Sequence, residues 1–300
     1  MPTRIIVLIN AGAGIEGGGD SRRERVERAF AAGGATPEIH VVEGRQLTAH
    51  ARSLASSGAE VVVAAGGDGT VNAVAHALVG RRCALGVLPM GTLNHFAMDL
   101  GLAADLEQAA ATIISGSTRA IDVGEVSGRY FINNSSIGLY PTIVSDRERQ
   151  RSELGRRKYV AMAIAAWHAC RHLPLVRVRI SLVGHRVNRL LPFVFIGNNR
   201  YSFQALPLGR RERLDGGRLW FYVPVSRSRF GLVKLMLFAL LGRLHRAKEL
   251  IELPVRDAVV SPRQRHVEVG IDGELVRMRS PLHFRIHPLA LKVIVPGPVA

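Results

Sequence analysis

The stretch at residues 61–72, VVVAAGGDGTVN, constrains the fold of this chain more than any other. Apolar residues lead into a turn of three glycines, Asp68 and Thr70, and a second apolar run covers 71–79. This order predicts a buried strand, a tight turn and a helix. Glycines let a ligand approach the backbone, and a helix that begins after such a turn offers free N–H donors to phosphate. A carboxylate beside phosphate needs a cation or a donor between them, so Asp68 indicates a nucleotide phosphate with Mg²⁺.

Strand and helix patterns alternate over the first 115 residues. Strands are predicted at 4–10, 38–42, from 61 and at 83–88, and helices at 22–32, 48–57, 71–79, 93–100 and 105–114. This alternation predicts a doubly wound parallel sheet, in which ligands bind at the carboxyl ends of the strands. Glycine-rich turns follow three of these strands, near Asn10 and Gly12, at 66–70 and at 91–94. The three turns are therefore expected to converge on one nucleotide site.

The pattern changes near residue 121. Short strands are predicted at 121–126 and 130–133, followed by a polar, turn-rich run at 133–138. Further strands are expected at 176–183, 190–197, 219–225, 267–271 and 283–295, with helices at 159–171 and 230–244. This half is predicted to be a β-rich domain. The expected division is an α/β nucleotide-binding domain, 1–124 with 288–300, and a β-rich acceptor-binding domain, 125–287.

The formal net charge is +16, from 40 Lys and Arg against 24 Asp and Glu. Such a charge attracts nucleotides, nucleic acid or anionic lipid surfaces. Aromatic residues make up 6% of the chain and no nucleic-acid signature is visible, so nucleic acid is not expected as a partner. The basic segments at 147–158 and 210–213 are read as solvated faces or as docking sites on an anionic membrane.

The two cysteines stand far apart and outside any CxxC or Cys/His pattern, so neither a disulfide framework nor a zinc site is expected. No signal peptide is visible, and the apolar segment at 232–241 is too short to span a bilayer. These features predict a cytoplasmic protein that is soluble or bound peripherally to the inner face of the membrane. A homodimer is left open.

Six motifs together resemble the bacterial diacylglycerol kinase catalytic-domain family of lipid kinases. They cover essentially the whole chain: NAGAG at 10–14, GGDGTVN at 66–72, GTLN at 91–94, DVG at 122–124, FINNSSIG at 131–138 and DGE at 272–274. NAD kinases share GGDGT, but the blocks at 131–138 and 272–274 favour the lipid branch.

The resemblance implies an N-terminal α/β domain, a C-terminal β-sandwich and an active site in the cleft between them, with the last strand, 289–296, returning to the first domain. It also implies ATP and Mg²⁺ as cofactors and a lipid substrate at the membrane surface. The nucleotide-binding residues that it suggests lie in the three turns: Asn10, Gly12, Gly66, Gly67, Asp68, Gly69, Thr70, Asn72, Gly91, Thr92 and Asn94.

The resemblance makes Asp272 the candidate catalytic base, since a carboxylate within reach of a hydroxyl can accept its proton. Glu274 is the second catalytic candidate, because residues two apart in an extended segment share one face. The alternative for this motif is a hairpin turn with solvated acids. No metal ligands are assigned within the chain.

Four positions depart from the family pattern. Ala11 replaces a common proline, and Val42 stands where some members have a threonine that contacts nucleotide. His95 replaces a common aspartate, so the role of that aspartate does not transfer. Gly216 replaces the second carboxylate of an LDDG run that helps hold a structural metal, which puts that metal in doubt although Asp215 remains.

The sequence therefore predicts an ATP-dependent lipid kinase that transfers the γ-phosphoryl group to a hydroxyl of a diacylglycerol-like or sphingoid-like lipid. An NAD kinase-like or other small-molecule kinase is the alternative among enzymes. If the protein is not an enzyme, the alternative is a non-catalytic protein that binds nucleotide or polyanions. No motif identifies the acceptor, because its specificity depends on the shape of a pocket in the second domain.

Overall fold

A computed structural model of the chain describes residues 4–12, 19–138, 176–182, 185–191, 193–202, 210–224 and 250–297. The chain divides into two compact units, one of Met1–Val123 with Pro288–Ala300 and the other of Gly124–His287. The helices predicted at 159–171 and 230–244 and the basic segment at 147–158 lie outside the described residues.

The first unit is built on a parallel sheet. Its strands follow the spatial order β2 (Glu38–Val42), β1 (Ile5–Asn10), β3 (Val61–Gly66), β4 (Ala84–Pro89) and the C-terminal part of β18 (Leu282–Val295). The inner strands are apolar along their whole length, as strands covered on both faces require.

Five helices and one 3₁₀ turn connect these strands: α1 (Gly19–Ala32), the 3₁₀ turn (Gly44–Gln46), α2 (Leu47–Ser56), α3 (Asp68–Leu78), α4 (His95–Asp99) and α5 (Leu106–Ser115). Helices α1 and α5 pack on one face of the sheet, where Phe30 and Ile113 meet Val7, Ile9 and Val63. Alternate strand residues point to the opposite face, where α2 packs with α3. The sheet is therefore wound on both sides.

The second unit contains two antiparallel sheets. One has the order β14 (Leu250–Val255), β13 (Leu219–Pro224), β10 (Phe193–Asn198), β7 (Asn134–Gly138), β16 (His266–Ile271) and β17 (Glu274–Arg279). The other is formed by β9 (His185–Leu191), β8 (Val176–Leu182), β15 (Asp257–Pro262), the N-terminal part of β18, the C-terminal end of β5 (Ser117–Val126) and β6 (Arg129–Phe131). A short pair, β11 (Tyr201–Ser202) and β12 (Arg210–Arg211), lies apart from both.

One apolar core joins the two sheets of this unit. It includes Phe131 and Phe284 from one sheet and Val194, Phe221 and Val269 from the other. The rings of Phe221 and Phe284 meet edge to face, with centroids 5.6 Å apart. The unit is thus a β-sandwich, and the predicted fold class, a parallel α/β domain followed by a β-sandwich, is confirmed.

Several local predictions are wrong. The polar run at 133–138 contains strand β7 rather than only turns, because Ser135 buries its hydroxyl by donating to the Gly270 carbonyl at 2.9 Å. Strands β14, β15 and β17 were not predicted. β17 alternates exposed and half-buried residues with charged side chains, as an edge strand does. The helix expected at 93–100 is shortened to α4.

Within the described part of the chain, no helix combines the length and the apolar character needed to cross a bilayer.

Candidate functional site

Three loops of the first unit leave the sheet at one edge. Strand β3 lies parallel to β1 on one side and to β4 on the other, with Ile9 beside Ala65 and Gly66 beside Pro89. The chain passes from β1 to β2 on one side of β1 and then to β3 on the other side. In doubly wound sheets this switch point opens the ligand crevice at the carboxyl ends of the strands. The predicted loops therefore gather where such folds bind ligands.

The GGDGT turn is a compact link between β3 and α3. Gly67 precedes the helix with an extended backbone, and its carbonyl accepts from the N–H groups of Thr70 at 2.9 Å and Val71 at 3.1 Å. Thr70 is buried against the end of the strand, where a Cβ at Gly66 would lie 2.4 Å from its Oγ1. The threonine thus packs the turn, while Gly69 is exposed in the first turn of α3.

The turn after β4 packs directly on the GGDGT turn. A Cβ at Gly91 would lie 2.5 Å from the Cα of Gly67, so the two backbones touch where neither residue has a side chain. Asn94 closes this second turn, because its Oδ1 accepts from the Gly91 N–H at 3.0 Å and its Nδ2 donates to the Gly91 carbonyl at 2.8 Å. Thr92 is exposed beside it. The structure therefore brings four of the predicted nucleotide residues together.

Asp68 links the two turns. Its carboxylate accepts from the N–H groups of His95 and Phe96, both at 3.4 Å, and so lies at the N-terminal end of α4. These bonds are long, and the residue is half-buried. The predicted role of Asp68 toward a phosphate-bound cation remains a prediction.

The loop after β1 is tied to the same region. Asn10 accepts from the Gly12 N–H through Oδ1 at 3.0 Å and donates through Nδ2 to Thr70 Oγ1 at 3.4 Å. Its side chain thus joins the first and second glycine loops. Asn72, by contrast, is buried within α3 rather than exposed at the loop edge.

Sequence reasoning missed Arg22. The residue is 8% exposed, and its Nη1 donates to the Asn10 carbonyl at 2.8 Å. Arg22 lies on the buried stripe of α1 with Val26, Ala29 and Phe30, so a charged residue at an apolar helical position was the available signal. It brings a positive charge to the base of the glycine loops.

Asp272 lies in the second unit, in the turn between β16 and β17. Asp272 and Gly273 both have positive φ, +48° and +94°, as a two-residue hairpin turn requires. The carboxylate accepts from the N–H groups of Ile132 and Asn133 at 2.8 Å and of Asn134 at 2.9 Å. The aspartate is therefore oriented by the backbone of the loop between β6 and β7 rather than solvated.

Burial raises the pKa of Asp272 to about 6, above the value of 3.8 that is usual for an aspartate, although the three N–H donors and Arg211 favour the ionised form. Desolvation disfavours the charged carboxylate and here outweighs those contacts. A carboxyl group with this pKa is ionised at neutral pH and is a stronger base than an exposed aspartate.

Glu274 does not share a face with Asp272 in the predicted way. The prediction assumed an extended segment, but Asp272 lies in a turn. Glu274 is the first residue of β17, where it pairs with Ile271 and its side chain is exposed. A supporting role for Glu274 stays a prediction.

The basic cluster at 210–213 is not one solvated face, which corrects that part of the prediction. Arg211 is 6% exposed and donates to the Ile132 carbonyl and, at 2.9 Å, to Asn133 Oδ1. Arg213 is exposed and pairs with Asp215 at 3.0 Å.

The loop at 213–217 does not fit the structural metal that the resemblance implies. Asp215 is paired with Arg213, and the Gly216 N–H donates to Asn199 Oδ1 at 2.9 Å. A Cβ at Gly216 would lie 2.6 Å from that oxygen. No group of three metal-binding side chains occurs among the residues that the structure describes.

Comparison with known proteins finds similar sequences for part of this chain and similar folds among solved structures. The family model described as the diacylglycerol kinase catalytic domain matches residues 4–126. A diacylglycerol kinase of Bacillus subtilis is 41% identical over 104 residues, which are 33% of this chain and 34% of that protein. The chain thus spans about a third of the length of that relative. A probable YegS-like lipid kinase of Pseudomonas aeruginosa is 29% identical over 247 residues, 81% of this chain and 78% of that protein.

Among solved structures, a putative diacylglycerol kinase of Bacillus anthracis superposes with a TM-score of 0.77 at 22% identity and covers 99% of both chains. At this identity the likeness shows the fold alone, while the match over residues 4–126 comes from the sequence itself. Over this segment the chain is similar to the diacylglycerol kinase catalytic domain.

Proposed function

We propose that this protein is an ATP-dependent lipid kinase that transfers the γ-phosphoryl group to a hydroxyl of a diacylglycerol-like or sphingoid-like lipid. The observation that carries the proposal is the contact of the Gly67 and Gly91 backbones at the carboxyl ends of β3 and β4, next to the switch point between β1 and β3. Because the two turns meet at residues without side chains, a phosphate chain can lie there close to backbone N–H donors.

The nucleotide is assigned to the first unit. Phosphoryl transfer depends mainly on positioning and charge neutralisation. The backbone of 66–70, the exposed Thr92 and the loop at Asn10 supply the positioning, and Arg22 supplies positive charge near that loop. Mg²⁺ enters as part of the MgATP substrate and neutralises the phosphate oxygens.

Asp272 is assigned as the base that accepts the proton of the acceptor hydroxyl. A catalytic base is commonly oriented by a further group, and here three backbone N–H groups fix the carboxylate. Its raised pKa matches a base that works near neutral pH. The excess of positive charge favours an acceptor presented on an anionic membrane surface.

The proposal is tested by incubating the purified full-length chain with MgATP labelled in the γ-phosphate and a panel of acceptors. The panel contains diacylglycerol and a sphingoid base in vesicles with anionic lipid, and NAD⁺ and glycerol in solution. Label transferred to a lipid is the expected result. Label on NAD⁺ in preference to every lipid would establish the small-molecule alternative, and nucleotide binding without transfer to any acceptor would overturn the kinase proposal.

Gly69→Ala is expected to weaken ATP binding about tenfold without loss of stability. A Cβ at Gly69 meets no atom of the described residues outside its own helix within 4 Å, and alanine favours a helix over glycine by about 1 kcal/mol. A weaker affinity then reports a phosphate that lies against this exposed position. Calorimetric titration with ATP and a thermal melt measure the two effects, and an unchanged affinity would place the phosphates elsewhere.

Activity is expected to fall about tenfold per pH unit below about pH 6, because the base must be ionised.

The stability of the fold is expected to depend on pH in the opposite direction. The folded pKa of Asp272 lies above its unfolded value, so this group stabilises the fold most below pH 4, and the contribution is lost as pH rises through about 6. The difference in Tm between the wild type and Asp272→Asn, followed from pH 4 to 7, measures that contribution.

A further inference from the structure

The loop between β6 and β7 lies between a buried anion and a buried cation. Its N–H groups, from Ile132 to Asn134, donate to the Asp272 carboxylate. On the opposite side of the same peptides, the Arg211 guanidinium donates to the Ile132 carbonyl and to Asn133 Oδ1. One loop therefore connects the two charges through its own peptide dipoles.

Arginine suits this position better than lysine does. The guanidinium is a planar fork with fixed donors, and two of its nitrogens reach two different acceptors here, the backbone carbonyl of Ile132 and the side chain of Asn133. The Tyr201 ring lies 5.9 Å from the guanidinium carbon, and its hydroxyl donates to the Asn133 carbonyl at 3.2 Å. The loop is thus held on its carbonyl side by two residues of the β11–β12 pair.

We propose that Arg211 is a positioning residue for Asp272: it fixes the loop whose N–H groups orient the carboxylate, and its charge favours the ionised form. The inference rests on the proposed role of Asp272 as the base. Arg211 acts through the loop and is not assigned any contact with substrate.

The charge of Arg211 is expected to shift the pKa of Asp272 in one direction. An opposite charge nearby lowers the pKa of a carboxyl group, and Arg211 contributes in this way to Asp272. Among the described residues, the Tyr201 phenol lies on the far side of the loop, and Glu274 is exposed at the start of β17. Loss of the guanidinium therefore leaves the buried carboxylate without a nearby positive charge, and the pKa of Asp272 is expected to rise.

Arg211→Gln is the principal test, measured as the pH profile of kcat/KM for the lipid in the full-length protein. The midpoint of the acid limb is expected to rise by about one pH unit, so that activity falls about fivefold at pH 6 and about tenfold well below it, with the KM for ATP unchanged. Arg211→Lys keeps the charge, so the midpoint is expected to stay in place while kcat falls. Arg213→Gln, an exposed neighbour, is the matched control and is expected to retain the wild-type profile.

A uniform loss of kcat at every pH, with the acid limb unmoved in Arg211→Gln, would overturn the inference and leave a structural role only. If that variant does not fold, Asn133→Ala removes one acceptor of the guanidinium and is expected to shift the limb in the same direction by less; no shift would again overturn the inference. NMR titration of the Asp272 carboxyl in wild type and variant measures the effect without catalysis. An inactive wild type would therefore count against the proposed function, and the titration would still decide the role of Arg211.

Discussion

Replacing Asp272 by asparagine is expected to lower kcat for lipid phosphorylation by about 10²–10⁴-fold, the contribution typical of a general base. The substitution keeps the size of the side chain and removes its ability to accept a proton. Asparagine also tolerates the positive φ of this turn position, which is +48°. The backbone of the hairpin is therefore expected to persist while the chemistry is lost.

Asparagine is not a neutral replacement for the contacts of this carboxylate. One carboxylate oxygen becomes an NH₂ group that faces a backbone N–H donor, so some loss of stability is expected as well. The KM for ATP separates the two effects, because nucleotide binding is assigned to the first unit and should not change. Glu268→Gln changes an exposed acid on strand β16, which leads into the Asp272 turn; it is the matched control and is expected to keep full activity. Full activity in Asp272→Asn would remove this residue from the mechanism.

The architecture could largely be predicted from the sequence, because apolar periodicity reports it directly. Strand β2 was predicted with its observed bounds, and β3 and α3 were located by their pattern around the glycine turn. Strand β7 was not predicted, because polar residues in a buried strand give no apolar pattern. They are buried through partners distant in sequence, as Ser135 is by its hydrogen bond to the Gly270 carbonyl. Strand β17 lies at a sheet edge and was not predicted for a related reason, since four of its six residues are exposed.

The candidate site could be predicted as a list of residues but not as a set of contacts. Glycine spacing identified the loops, but it did not show that Asn94 closes its own turn or that Asp68 lies at the start of α4. Arg22 and Arg211 were hidden for a different reason. A charged residue in the sequence is normally read as exposed, and only the fold reveals that these two are buried against backbone carbonyls.

Gly91→Ala is expected to lower kcat/KM for ATP by about 10²-fold, the cost of misplacing a binding group by about 1 Å. The added Cβ would lie 2.5 Å from the Cα of Gly67 and 2.8 Å from Asn94 Oδ1. The first contact is with backbone, which cannot rotate away as a side chain can. The two turns must therefore separate, and the N–H groups of the GGDGT turn move with them. Steady-state kinetics with varied ATP and a thermal melt measure the result.

Gly297→Ala is the control, because a Cβ there meets no atom within 4 Å in the described part of the chain and the residue lies outside the glycine loops. It is expected to match the wild type in both measurements. The comparison with Gly69→Ala separates packing from ligand contact. Gly91→Ala is expected to lower both Tm and the affinity for ATP. Gly69→Ala is expected to lower the affinity alone, because its Cβ meets no atom of the described residues outside its own helix within 4 Å. If Gly91→Ala lowers Tm yet binds ATP as tightly as the wild type, the contact of the two turns supports the fold only, and the nucleotide must bind away from it.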